Sequence, residues 1–166
     1  MSPRVVLVGP PGAGKTTIGR KLAARLELPL VDTDQVVERR SGRTVPEIFT
    51  TDGEATFRAL EEEAVLSALA EDGAVVSLGG GAVLSERTRA ALAGHTVVFL
   101  AVGMAEGVRR TGMGVGRPLL AGLNPRATFK ALLDARLRLY REVATIEVAT
   151  DGRTPAAVVD AVLAAL

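Results

Sequence analysis

Gly9-Pro10-Pro11-Gly12-Ala13-Gly14-Lys15-Thr16-Thr17 follows directly on the apolar run Val5-Val6-Leu7-Val8. From Gly9 to Thr16 the spacing is G-x-x-x-x-G-K-T, which wraps a phosphate when it joins a strand to a helix. Gly12 and Gly14 permit the backbone conformations and close approach that turn successive N–H groups inward onto phosphate oxygens. A helix opening near Lys15 adds the positive end of its dipole to the same place. Lys15 then reaches the β- and γ-phosphates of a nucleotide, and the Thr16 hydroxyl stands where Mg²⁺ is ligated.

Composition sharpens the reading of Lys15. The 166 residues hold 17 Arg but three Lys, at positions 15, 21 and 130. Lysine is a compact point charge on a flexible stem, so a chain that otherwise selects Arg has a specific use for Lys here. The net charge of +1 lacks the basic excess of a general nucleic-acid or membrane-surface binder. With no Trp, one Tyr and four Phe there is no aromatic platform for stacking bases. Cysteine is absent, which rules out disulfides and zinc-thiolate sites. The apolar run after Met1 is too short for a signal peptide or a membrane span, so a cytoplasmic protein of one domain is expected, working as a monomer without nucleic-acid or membrane partners.

Along the chain, short apolar runs at 5–8, 30–31, 75–78, 96–102 and 146–148 read as five strands. Between and after them, 15–26, 35–41, 54–70, 87–93, 127–143 and 155–166 have helical length and spacing, the last opening with Thr154 as cap and Pro155 at the first position. Strands that are apolar throughout, alternating with helices, predict a three-layer α/β/α fold on a five-stranded parallel sheet. Glycines 112, 114, 116 and 122 surround Arg117-Pro118-Leu119-Leu120, too apolar for a linker and too glycine-rich for regular structure, so a mobile lid is expected over 111–123.

A phosphate loop alone also serves GTPases and motor ATPases. The Asn-Lys-x-Asp signature of guanine specificity does not occur here, which leaves ATP as the expected nucleotide. A lid that keeps water from the γ-phosphate is what a phosphotransferase needs, and Arg117 is the side chain it would bring to the transferring group. An exposed loop charge is the plainer reading of Arg117.

The acceptor side is expected within 32–62 and at the third strand's end. Asp32 and Asp34 follow the second strand, at the edge where open α/β sheets bind ligands. Asp32, nearer the phosphate loop, is a candidate to hold Mg²⁺ through a water. Asp34 is the candidate to orient or deprotonate an acceptor hydroxyl, or else simply the cap of the helix after it. Gly79-Gly80-Gly81 offers bare backbone and N–H donors, or a flexible turn. Arg58 lies four residues after Glu54 and four before Glu62, which a solvated ion-pair ladder explains; Arg136 is equally compatible with surface charge.

Taken together these pieces resemble the shikimate kinase family over nearly the whole chain. The resemblance is carried by 9–17, Asp32-Thr33-Asp34, Phe57-Arg58 with Glu61-Glu62, and Gly79-Gly80-Gly81. Further along it is carried by Arg109-Arg110-Thr111, Arg117-Pro118-Leu119-Leu120, Arg136 with Tyr140, and Arg153-Thr154-Pro155. It implies a fold like that of nucleoside monophosphate kinases and transfer of the ATP γ-phosphate to the 3-hydroxyl of shikimate, in aromatic amino-acid biosynthesis. By the same resemblance Gly12, Ala13, Gly14, Lys15, Thr16 and Thr17 hold the phosphates, while Arg110, Arg153 and Pro155 enclose adenine. Arg58 and Arg136 clamp the shikimate carboxylate, Asp34 binds the ring hydroxyls as base, Gly79, Gly80 and Gly81 contribute backbone, and Phe49 and Phe57 line the pocket. His95 is expected to be structural. The competing readings are a gluconate or nucleoside monophosphate kinase, and a nucleotide-binding regulatory module without catalysis; Lys15, Thr16, Asp34 and Arg117 argue against the latter.

Overall fold

The computed structural model of the chain describes residues 3–11, 13–102 and 125–166; the side chains of 125–129, 132 and 133 lie outside that description. Gly12, Arg109, Arg110, Arg117 and the whole stretch expected as a lid therefore lie outside the described residues.

Five strands form one parallel sheet: β1 (Val5–Val8), β2 (Leu30–Asp32), β3 (Val75–Ser77), β4 (Val97–Ala101) and β5 (Ile146–Ala149), in the order β2-β3-β1-β4-β5. The predicted sheet is thus found, each strand within one or two residues of its expected ends. The helices are α1 (Lys15–Leu26), α2 (Thr33–Ser41), α3 (Val45–Asp52), α4 (Glu54–Leu69), α5 (Glu86–Leu92), α6 (Pro125–Val143) and α7 (Pro155–Ala165), with a 3₁₀ turn at Ala82–Leu84.

The apolar strands face two cores. Val5 and Leu7 of β1 point to the side covered by α1 and α7, where they meet Ile18, Leu22, Val158 and Val162. Val6 and Val8 point to the other side, where Val65, Leu92, Phe99 and Tyr140 are gathered. This is the period-2 alternation of a strand buried on both faces, and it is why no polar residue interrupts β1. A third, smaller core of Val36, Val37, Ile48, Phe57 and Ala64 ties α2, α3 and α4 together beside the β2 edge.

Capping sets the ends. Thr154 Oγ1 accepts from the Ala157 N–H ahead of Pro155, as expected for α7. For α2 the expectation is corrected: the helix starts at Thr33, and Asp32 caps it by accepting from the N–H groups of Asp34 and Gln35. Asp34 sits inside the first turn and is no cap. Helix α3 escaped the periodicity reading because it has eight residues, one of them the buried Ile48; its signals are local, namely the Thr44 cap, Pro46 and the glycine that follows Asp52. Among the described residues no helix is long and apolar enough to cross a membrane.

Candidate active site

The carboxyl ends of β1, β2 and β3 open onto a cleft of about 580 Å³ lined by Ala13, Gly14, Lys15, Thr16, Thr17, Asp32, Asp34, Ser77 to Gly80, Thr150, Arg153 and Pro155. Gly14 has φ 85, the left-handed conformation that costs glycine nothing, and it delivers the chain into α1. Gly9 is required for a different reason: a Cβ there would lie 2.6 Å from the Leu100 carbonyl oxygen. The Lys15 ammonium donates to the carbonyls of Gly9 and Pro10 at 2.7 and 3.0 Å, so its stem already curls over the loop. Thr16 and Thr17 are exposed in the first turn of α1.

The three glycines after β3 face three separate neighbours. A Cβ on Gly79 would lie 2.8 Å from both Asp34 Oδ1 and Glu61 Oε2, so those two carboxylates stand no more than twice that distance apart. A Cβ on Gly80 would press Pro11 of the phosphate loop at 2.9 Å. On Gly81 it would land on the guanidinium of Arg58, 2.5 Å from Cζ. The triplet read as bare backbone for a ligand is filled on each side by the protein's own functional groups. Thr33, fully buried between the two aspartates, locks this loop to β2: its hydroxyl donates to the Ser77 carbonyl and accepts from the Gly79 N–H, each at 3.3 Å.

Arg58 is not part of a solvated ladder. Its Nε bonds Glu54 at 3.3 Å, but Nη1 bonds Glu61 at 2.8 Å, and Glu61 is buried while Glu62 turns away to Ser85 and Arg87. The guanidinium lies over the rings of Phe49 and Phe57, 5.9 and 5.2 Å from their centroids, and those rings pack 4.9 Å apart. Such placement fixes a cation and removes much of its hydration. Arg136 is 3% exposed, contrary to the surface reading, and its Nη1 is buried with no hydrogen-bond partner among the described residues.

Burial pushes the Glu61 carboxyl above its ordinary value; the charge and hydrogen bond of Arg58 pull against this, Asp34 adds to the rise, and Arg136 opposes it. The Tyr140 phenol is pushed up to about 12, chiefly by burial, with the Arg136 guanidinium next to it the main opposing influence. Asp34, Arg58, Glu61, Arg136 and Tyr140 therefore form one electrostatic cluster around the glycine loop. Two guanidiniums that both act on Glu61 and Tyr140, one with a donor that has no partner among the described residues, beside a carboxylate at the cleft wall are an arrangement for taking an anionic group at one end and a hydroxyl at the other.

A family model described as shikimate kinase matches residues 11–166. The chain belongs to the shikimate kinase family. It is 67% identical over 163 residues to a shikimate kinase of Saccharopolyspora erythraea, a match covering 98% of this chain and 93% of that protein. Its backbone is similar to that of the Acinetobacter baumannii shikimate kinase solved in complex with shikimate, with a TM-score of 0.93 at 35% identity, covering 98% of this chain and 91% of that one. A gluconokinase from Sinorhizobium meliloti shares the fold at a TM-score of 0.57 and 19% identity, over 98% of this chain and 90% of that one.

Of the residues the family resemblance pointed to, Ala13, Gly14, Lys15, Thr16, Thr17, Asp32, Asp34, Gly79, Gly80, Arg153 and Pro155 line the cleft, and Arg58, Gly81, Phe49, Phe57 and Arg136 gather around the glycine loop beside Asp34. His95 precedes the amino end of β4, away from the carboxyl ends that carry the candidate site, on a separate cleft with Glu86, Arg89 and Glu142. Residue-by-residue reading gave no part to Glu61, Thr33, Ser77, Thr150 or Tyr140. For Glu61 a signal existed: it falls in the buried stripe Phe57, Ala64, Val65, Ala68 of α4, where a carboxylate requires a partner.

Proposed function

We propose that this member of the shikimate kinase family transfers the γ-phosphoryl group of ATP to the 3-hydroxyl of shikimate, releasing shikimate 3-phosphate and ADP, a step of chorismate biosynthesis. The observation that carries the reading is Arg136: a guanidinium 3% exposed, with a buried donor that has no partner among the described residues. An orphaned cationic donor is costly to bury, and a ligand carboxylate supplies the missing partner.

On this reading the carboxylate of the acceptor docks between Arg136 and Arg58. The hydroxyl to be phosphorylated faces Asp34, which orients it and accepts its proton. The acceptor oxygen bonds to the γ-phosphorus as the bond from that phosphorus to the bridging oxygen of ADP breaks, a loose displacement in which positioning and charge count for more than base strength. Lys15 exchanges the carbonyls of Gly9 and Pro10 for phosphate oxygens. Gly12, Ala13, Gly14 and Thr17 complete the phosphate cradle, and Arg110, Arg153 and Pro155 enclose the adenine. Arg117 meets the transferring group.

Mg²⁺ fits the donors that line the cleft. Thr16 and Asp32 offer two hard oxygens, the small protein share that suits an ion otherwise bound by phosphate and water. When bound, the ion neutralises charge on the β- and γ-phosphates. Asp32 keeps one oxygen on the amides of Asp34 and Gln35, which holds the carboxylate in place for that use. The enzyme on this view works as a cytoplasmic monomer. Phosphorus NMR of the product made from ATP and shikimate tests the assignment: one new ester at the 3-position is expected, and an ester at another hydroxyl contradicts it.

A further inference from the structure

Tyr140 is one turn beyond Arg136 on α6, on the same face. Its ring is fully buried and stacks on Phe99 of β4, with centroids 5.1 Å apart and 24° between planes. Its hydroxyl donates to the carbonyl of Gly80 at 2.6 Å, a contact between residues 60 positions apart in the chain. The Arg136 guanidinium, one turn back on the same face, acts electrostatically on that phenol. One oxygen therefore meets both the helix that carries Arg136 and the loop whose glycines separate Arg58, Asp34 and the phosphate loop.

We propose that Tyr140 is a positioning residue of the acceptor site, its hydroxyl holding the Gly80 carbonyl so that the helix carrying Arg136 is fixed against the glycine loop that packs on Asp34 and Arg58. This rests on the acceptor reading above. A phenol raised to about 12 stays protonated at neutral pH, so it donates to Gly80 permanently and takes no part in proton transfer. A trans peptide points its carbonyl and the next N–H in opposite directions, so anchoring the Gly80 carbonyl on Tyr140 also turns the Gly81 N–H away from α6. The ring and the hydroxyl have separable tasks. Stacking on Phe99 belongs to the core, whereas the hydroxyl sets how the helix that carries Arg136 sits on the glycine loop.

Tyr140→Phe keeps the ring and removes the tether. In steady-state kinetics of the full chain run beside wild type, the KM for shikimate is expected to rise about three- to tenfold, the worth of one hydrogen bond. The KM for ATP should stay within about twofold by the same reasoning, because no phosphate contact changes. The penalty should shrink for a shikimate analogue whose carboxylate is replaced by a carboxamide, since the loss acts through Arg136. An unchanged shikimate KM, an equal rise in both KM values, or an equal penalty on the carboxamide overturns the proposal. So does a Phe variant that fails to fold, because the hydroxyl is assigned to positioning. Wild type inactive on shikimate but active on another acceptor would instead overturn the substrate, leaving the tether to be read in that acceptor's KM.

Discussion

The guanidinium of Arg58 packs against Gly81, so close that a methyl group at position 81 would sit 2.5 Å from Cζ. Arg58 is also held by Glu61 at 2.8 Å and by two phenylalanine rings, so it has few ways to yield. Gly81→Ala is therefore expected to push the guanidinium out of line with a carboxylate. Loss of a charge-assisted hydrogen bond corresponds to roughly 1.5–3 kcal/mol, or roughly ten- to hundredfold in shikimate KM. Isothermal titration with shikimate and with ADP separates the effects: the first should weaken and the second should not. Equal shikimate affinity in the variant would mean that the loop yields instead.

Asp34→Asn keeps shape and hydrogen-bonding size while removing the charge proposed to face the acceptor hydroxyl. Because Asp32, not Asp34, caps α2, the helix should survive the change. A fall in kcat of about 10²-fold or more is expected if the carboxylate takes the proton or aligns the hydroxyl, with ATP binding retained. A variant with near-normal kcat would reduce Asp34 to a polar lining residue.

Lys15→Ala removes the ammonium that now rests on the Gly9 and Pro10 carbonyls. Phosphoryl transfer should fall by about 10²-fold or more, the scale for deleting one preorganised electrostatic donor. Single-turnover measurement with both substrates saturating checks this; a loss confined to ATP affinity would assign Lys15 to ground-state binding alone.

Glu61 gives a pH signature. Its carboxyl is raised by burial, so the folded chain holds that proton more tightly than the unfolded chain, where it titrates near 4.5. The stability tied to the protonated form is fully present below about that value and is lost as pH rises through the folded one. Glu61→Gln does not titrate, so the Tm of the variant relative to wild type should climb across this window. Its kcat/KM for shikimate should nonetheless fall, because Arg58 loses a charged anchor. A Tm difference that stays flat with pH contradicts the account.

The nucleotide half of this molecule was legible residue by residue because its signals are local. Glycine spacing, one lysine in an arginine-rich chain and a strand feeding a helix all lie within Val5–Leu26. The acceptor half was not, because its chemistry is assembled across the fold: Arg136 and Arg58 are brought to one glycine loop from helices far apart in sequence. Taken singly, Arg58 looked like a rung of surface charge, and what distinguishes it is burial beside Glu61, which periodicity on α4 hinted at through a carboxylate in an apolar stripe. For Asp34 the sequence left a cap open as the alternative to an acceptor role, because caps and first-turn acids share composition, and Asp32 takes the cap. Family resemblance brought Arg58 and Arg136 into the candidate site, but it was silent on why three glycines are needed, which follows from the groups pressed against them.

The acceptor itself is tested most directly by ADP release from ATP over a panel of shikimate, gluconate, nucleoside monophosphates and water. Shikimate should support turnover far above the water blank and above the other acceptors. No turnover with shikimate above that blank, alongside release with gluconate or a nucleoside monophosphate, would contradict the assignment of Arg58 and Arg136 to a shikimate carboxylate.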